Sequence, residues 1–249
     1  MARQKGTVKF TGSIGDVTGV KIGDEYYIRQ KSNLDGERIQ NDPAFANTRK
    51  SNIEFTEYTK CTALIEHAFA DAILNIKEGR AHNRLGSIVN KIKNLDIIHQ
   101  KPYRQVATGI QLDAGKELLS GFDFNMYSHL NTVLDKKFDL DTTNGILTVE
   151  DLITAKDLQK PKAANKVGIQ LFCSKIDFES RTFATVNSIE SRINIEDSVQ
   201  NISLTIDLPP AENSVNVFLL TLVYYQTING IDYFLNDRQY RCAKIIGVE

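Results

Sequence analysis

The stretch VNVFLLTLVYYQTINGIDYFL, residues 215–235, decides the fold of this chain. Asn229-Gly230 stands between two apolar runs, Val215 to Gln226 and Ile231 to Leu235. Asn-Gly accepts the pair of positive φ angles that a two-residue hairpin turn requires, and it is the strongest short hairpin signal a sequence carries. The run from Val215 to Tyr225 is broken only by Asn216 and Thr221. It falls far short of the roughly 20 apolar residues needed to cross a bilayer, so it reads as a core strand with no membrane partner.

Working outward, the same grammar repeats. Phe138-Asp139-Leu140-Asp141 alternates, Thr142-Thr143-Asn144-Gly145 turns, and Ile146 to Val149 returns. Further strands are expected at Val167 to Ile176, Arg181 to Asn187, Asn201 to Leu208 and Tyr240 to Val248, with Pro209-Pro210 between strands, where proline costs no ladder bond. Many short strands separated by turn signals predict an immunoglobulin-like β-sandwich over residues 136–249. The chain has no tryptophan, so the Cys-Trp-Cys signature of antibody domains is absent.

Upstream the period changes. Asp42 is a good N-cap and Pro43 suits a first helical position, and Ser51-x-x-Glu54 has the form of a capping box. Phe55, Tyr58, Thr62, Ile65, Phe69, Ala72 and Ile76 then recur in steps of three and four, a heptad-like seam on one helix face. Gly79 is the expected stop. A second helix from Arg80 to Leu95 carries Leu85, Ile88, Val89, Ile92 and Leu95, and the two helices predict an antiparallel hairpin with Phe69 buried inside it. Ala114 to Leu119 and Met126 to Leu134 suit short helices, joined through Gly121 to Asn125.

Residues 1–35 read as a glycine-rich β arm with too few apolar side chains to form a core of its own. The chain as a whole is therefore expected to be α+β: arm 1–35, helical region 36–135, β-sandwich 136–249. With 41% hydrophobic and 24% charged residues, the 249-residue chain is neither disordered nor collagen-like. Its net charge of −1 excludes a chain built wholesale for nucleic acid. No apolar segment follows the charged Met1 to Val8, so no signal peptide is expected. Synthesis in a cytoplasm follows, with release as part of a particle one outcome. Three widely spaced cysteines, Cys61, Cys173 and Cys242, argue against a disulfide framework or a zinc ribbon.

Motifs for chemistry are lacking. His67, His82, His99 and His129 form no metal-binding spacing, there is no nucleophile elbow, and the arm's glycines are followed by no Gly-Lys-Ser/Thr. Asp139, Asp141, Glu150 and Asp151 gather near a turn but lack the spacing of an EF-hand. No catalytic residue, cofactor or metal is expected. Charge is uneven instead. Residues 1–137 hold 20 basic and 16 acidic side chains, and residues 138–249 hold 10 and 15. Arg80, Arg84, Lys91 and Lys93 concentrate the positive side on the second helix and are offered as an electrostatic contact surface.

The segments GSIGDVTGVKIGDEYYIRQKS, NDPAFANTRKSNIEF, LLSGFDFN and FDLDTTNGILTVEDL together resemble an uncharacterised family of Bacteroidota proteins. Where its members often carry Ala-Thr-His, this chain has Ala163-Ala164-Asn165. The resemblance implies the layout of β arm, helical hairpin and β-sandwich, and no activity, substrate or cofactor.

These features together predict a self-assembling structural protein, a filament subunit or a component of a virion-like particle, whose partners are other copies of itself. The assembly residues are Ile14, Val17, Val20, Ile22, Tyr26 and Ile28 of the arm, adding strands or packing to a neighbour. The alternatives are a non-catalytic binding module using β-sandwich loops, and a nucleic-acid-associated protein using the basic second helix.

Overall fold

The computed structural model describes residues 1–31, 35–208 and 214–249; the Pro209-Pro210 spacer lies outside them. Two compact units divide the chain, Met1–Asn52 and Ile53–Glu249. The expected boundary between a helical region and a β region at residue 136 does not separate compact units. Helices and strands on either side of it share one buried cluster.

In the first unit, strands β1 (Ala2–Arg3), β2 (Gly12–Ile14), β3 (Val17–Ile22) and β4 (Glu25–Gln30) form a four-stranded sheet in the order β1-β4-β3-β2. Every pair in it is antiparallel. Helix α1 (Gly36–Asn41) starts where the Asp35 carboxylate accepts the Glu37 N–H at 2.6 Å. Asp42 then accepts the Ala44 N–H at 2.9 Å, and Pro43 opens a 3-10 turn, as the sequence predicts.

Helix α2 (Ala46–Ala68) follows directly. The expected restart of the helix at Ser51 does not occur. Ser51 lies inside α2 and its hydroxyl donates back to the Asn47 carbonyl at 3.0 Å, while Glu54 is buried. The seam also ends before Gly79. The backbone turns at Phe69 (φ −112°, ψ 21°) into a short helix α3 (Ala70–Ile73). No glycine or proline announces that break; it is tertiary, with Phe69, Ile73 and Ile76 all held in the core. At the other end Phe55 is 56% exposed, so the seam starts at Tyr58.

Helix α4 (Ala81–Asn94) buries Leu85, Val89 and Ile92, with Ile88 packed partly against the same cluster. Its register against α2 is antiparallel. Lys93 meets Glu54, Gly86 lies beside Thr62, and His82 meets Glu66. The helical hairpin is therefore present, with Phe69 only 1% exposed in the core it shares with Ile65, Ile88 and Ile92. Three short helices follow: α5 (Val106–Gly109), α6 (Asp113–Leu119) and α7 (Leu130–Val133). The last is shorter than its expected span.

The β region begins with β5 (Asp139–Asp141) and β6 (Ile146–Leu152), joined through Gly145 at φ +67°. After α8 (Thr154–Asp157) come β7 (Lys166–Asp177), β8 (Thr182–Asn187), β9 (Ser191–Asn194) and β10 (Gln200–Thr205). The opening stretch forms β11 (Val215–Ile228) and β12 (Ile231–Phe234), and β13 (Cys242–Val248) closes the chain. Asn229 and Gly230 both take positive φ, 53° and 79°, as the hairpin reading requires.

One sheet holds β10-β6-β5. The larger has six strands in the order β12-β11-β7-β8, with β13 also on β11 and β9 also on β7. Alternation along β11 explains why the sequence there is almost continuously apolar. Val215, Val217 and Leu219 face the core shared with the helices. Phe218, Leu220, Leu222 and Tyr224 face the core shared with β6 and β10. Both faces are covered, so both must be hydrophobic. The free side of β13 takes up the 121–124 connection, where Gly121 and Phe124 donate to Ile245 and Ala243 carbonyls at 2.7 and 2.8 Å. The fold is mixed α+β with antiparallel sheets.

Candidate functional site

The arm is built on an amide. Gln4 is buried, its Nε2 donating to the Phe10 and Tyr27 carbonyls at 3.0 and 3.1 Å and its Oε1 accepting the Phe10 N–H at 3.0 Å. This ties the loop between β1 and β2 onto the sheet. Phe10 in turn lies on Gly19, where an added Cβ would come within 2.5 Å of the Phe10 carbonyl and 2.9 Å of its ring. Only glycine allows that approach.

The register sorts the expected assembly residues into two sets. Ile14 pairs with Val17, Gly19 with Ile28, and Lys21 with Tyr26, so Ile14, Val17, Tyr26 and Ile28 share the face that carries Phe10. Val20 pairs with Tyr27 and Ile22 with Glu25, on the opposite face. The six residues do not make one surface. Ile14 is 61% and Ile22 55% exposed, while the other four are half-buried. The outermost strands of the sheet, β1 and β2, are only two and three residues long.

The basic residues of α4 separate as well. Arg80 and Lys91 are exposed. The Arg84 guanidinium donates to Glu78 at 3.0 Å and to the Asp123 carbonyl at 2.8 Å, and stands 5.0 Å from the Phe122 ring centre. Lys93 is a correction to the sequence reading. It is 3% exposed, and its Nζ donates to Glu54 Oε2 at 2.9 Å. Position 93 follows Ile92 onto the α2 side of the helix, so its charge is spent inside. Arg104 completes the triad, donating to both Glu54 oxygens at 2.6 and 2.8 Å. The Arg104 hydrogen bond, joined by Lys93 and opposed by burial, holds the Glu54 carboxyl down at about 2.

Three of the four histidines pair with carboxylates: His82 with Glu66, His99 with Asp96 and His129 with Asp123, at 2.8 to 2.9 Å. Asp96 is an anchor for the chain beyond α4. Burial pushes its carboxyl up, but hydrogen bonds from Gln105, His99 and Ile98 outweigh that and hold it below the usual range. Cys61, Cys173 and Cys242 are buried free thiols, each pushed up to about 12 chiefly by burial. Such thiols hold almost no thiolate at neutral pH and make poor nucleophiles. Among the described residues, no group of histidine, cysteine or carboxylate side chains is arranged to hold a metal ion. Asp141 instead caps its own turn, accepting the Thr143 and Asn144 N–H groups at 3.0 Å.

A polar cluster that the sequence does not announce lies where β7, β11 and β12 meet. Tyr225 donates to Glu190 at 2.6 Å, Arg192 stacks 4.3 Å from the Tyr225 ring centre and donates to Glu190 at 2.7 Å, and Lys166 and Thr227 donate to Asp232 at 2.9 and 2.7 Å. Burial and the Glu190 bond raise the Tyr225 hydroxyl to about 12. Glu190 and Tyr225 crowd over Gly168, where a Cβ would meet Glu190 Oε1 at 2.2 Å. Glycine inside an apolar strand was the available signal for such close approach. Asn165 belongs to the same end of the sheet, exchanging hydrogen bonds with Thr227 at 2.8 and 3.3 Å.

No protein-family model, curated protein or solved structure matches the chain. No helix among the described residues is long and apolar enough to cross a membrane.

Proposed function

We propose that this chain is a self-assembling structural protein, a filament subunit or a component of a virion-like particle, joined copy to copy through its N-terminal sheet. One observation carries the reading. Met1–Asn52 is a compact unit of its own; its sheet presents Ile14 and Ile22 at 61 and 55% exposure, and the loop between β1 and β2 presents Val8 at 89%. A small sheet that leaves apolar side chains in water offers another copy a face to bury. Charge supports the same partner. Residues 1–52 carry nine basic and six acidic side chains, and residues 53–249 carry 21 and 25. Unlike charges on the two units favour a contact between the first unit of one copy and the second of the next.

The two antiparallel sheets that share one core support the immunoglobulin-like sandwich as the body of the subunit. Electron microscopy and sedimentation of the purified full-length chain test the function. The expected result is a regular oligomer or filament that Ile14→Asp and Ile22→Asp together disperse. A monodisperse monomer at all protein concentrations would overturn it.

A further inference from the structure

We propose that the cleft between residues 134–138 and strand β13 is a binding site for an organic phosphate. The cleft encloses about 810 Å³, within the range of roughly 300–1,000 Å³ typical of small-molecule sites. Lys136, Lys137 and Lys244 line it, and the single carboxylate on its wall is the exposed Asp135. This excess of positive charge runs against its setting, because residues 53–249 hold more acidic side chains than basic ones.

Apart from Asp135, which makes no ion pair with them, no carboxylate among the described residues lines the cleft with the three ammonium groups. Lys136 donates to the Asp151 carbonyl and Lys244 to the Asn131 side-chain carbonyl, both at 2.9 Å and both neutral acceptors. Among the described residues none of the three lysines forms an ion pair. Basic groups left without counter-charge in a concave site attract and hold anions, and lysine is a point-charge phosphate binder.

The remaining wall sets the other half of the ligand. Leu134 and Ile245 are buried beneath the cleft, and Phe138 and Ile246 are half-buried at its side. An apolar wall beside a cationic one suits a molecule with a phosphate at one end and a ring at the other. Asn131 and Ser120 also line the cleft.

The test is an amide-shift titration of the full-length chain with adenosine 5′-phosphate in low salt, with inorganic phosphate and adenosine as separate arms. The expected result is saturable shifts at residues 134–138 and 244–246. Adenosine 5′-phosphate should bind more tightly than either arm, and added salt should weaken it. Lys137→Gln, at an exposed position, and Lys244→Gln should each weaken it about tenfold, the loss of one charged hydrogen bond. Absence of saturable shifts at the cleft would overturn the proposal, as would unchanged binding in folded Lys137→Gln. Adenosine binding as tightly as its phosphate would remove the lysines from the argument. Inorganic phosphate binding as tightly would remove the apolar wall.

Discussion

Glu54 and Arg104, fifty positions apart in sequence, meet in two hydrogen bonds of 2.6 and 2.8 Å. Lys93 closes the same carboxylate from the other helix of the hairpin at 2.9 Å. The interaction fixes α2, α4 and the segment leading into α5 to one another, and its charges are largely out of water. Breaking such a buried pair by removing one partner costs about 3–5 kcal/mol, since the other charge is left uncompensated.

The first prediction follows from that carboxylate. Glu54 titrates near 2 in the folded chain against an ordinary value of 4.5. Its folded pKa is depressed, so the unfolded chain binds more protons between those values. The contribution of Glu54 is complete above pH 4.5 and is lost as pH falls toward 2. Glu54→Gln should lower stability at neutral pH and flatten the acid limb of stability against pH. Urea unfolding between pH 2 and pH 7 checks both, and a variant with the parent's acid limb would show that other carboxylates govern it.

The second concerns the hairpin core. Phe69 is 1% exposed at the turn between α2 and α3, and Phe69→Ala should cost about 3–5 kcal/mol. Phe55, counted in the same seam but 56% exposed, should cost within about 0.5 kcal/mol when replaced by alanine. Equal losses in thermal or chemical unfolding would contradict the placement of the two rings.

What the sequence disclosed, and what it did not, divides along the range of the interactions. The Asn229-Gly230 hairpin was legible because its turn is coded by two adjacent residues. The antiparallel pairing of α2 and α4 was legible because Ile65, Leu85, Val89 and Ile92 repeat at helical spacing. The break at Phe69 was not, because nothing local forces it. Lys93 reads as a surface charge because its partner, Glu54, lies on another element, as does Arg104, which shares that carboxylate. The same holds for the cluster of Tyr225, Glu190, Arg192, Lys166 and Asp232, drawn from four stretches of chain. The two-faced arm shows the remaining difficulty. Composition selects Ile14, Val17, Val20, Ile22, Tyr26 and Ile28, but only the register tells which of them point the same way.

The third prediction isolates the arm. Gly19→Ala would drive a methyl group into the Phe10 carbonyl and ring, and Gln4→Ala would remove the two hydrogen bonds that hold Phe10 and the third that ties them to Tyr27. Either change should release hydrogen-exchange protection across β3 and β4. Because Met1–Asn52 is a separate compact unit, protection in β7 and β11 should stay as in the parent. Parallel loss in β7 and β11 would mean that the two units unfold as one.

The last prediction tests the arm as a connector. Residues Thr7 to Arg29 spend conformational entropy to become ordered, much of it at glycine, and leave Ile14 and Ile22 in water. Burying those side chains and pairing a short edge strand against another copy would offset part of that cost. Removal of residues 1–30 should therefore yield a folded, helix-containing β protein that sediments as a monomer. Full-length assembly should also weaken between about 0.05 and 0.5 M salt, because exposed unlike charges are screened beyond roughly 8–10 Å at physiological ionic strength. The two measurements separate the sources of adhesion. Loss of assembly on truncation with no salt response would assign the contact to apolar burial and strand pairing alone. A truncated chain that still forms the full-size oligomer would show that the connector lies in Ile53–Glu249, and one that fails to fold would place the arm in the chain's own core.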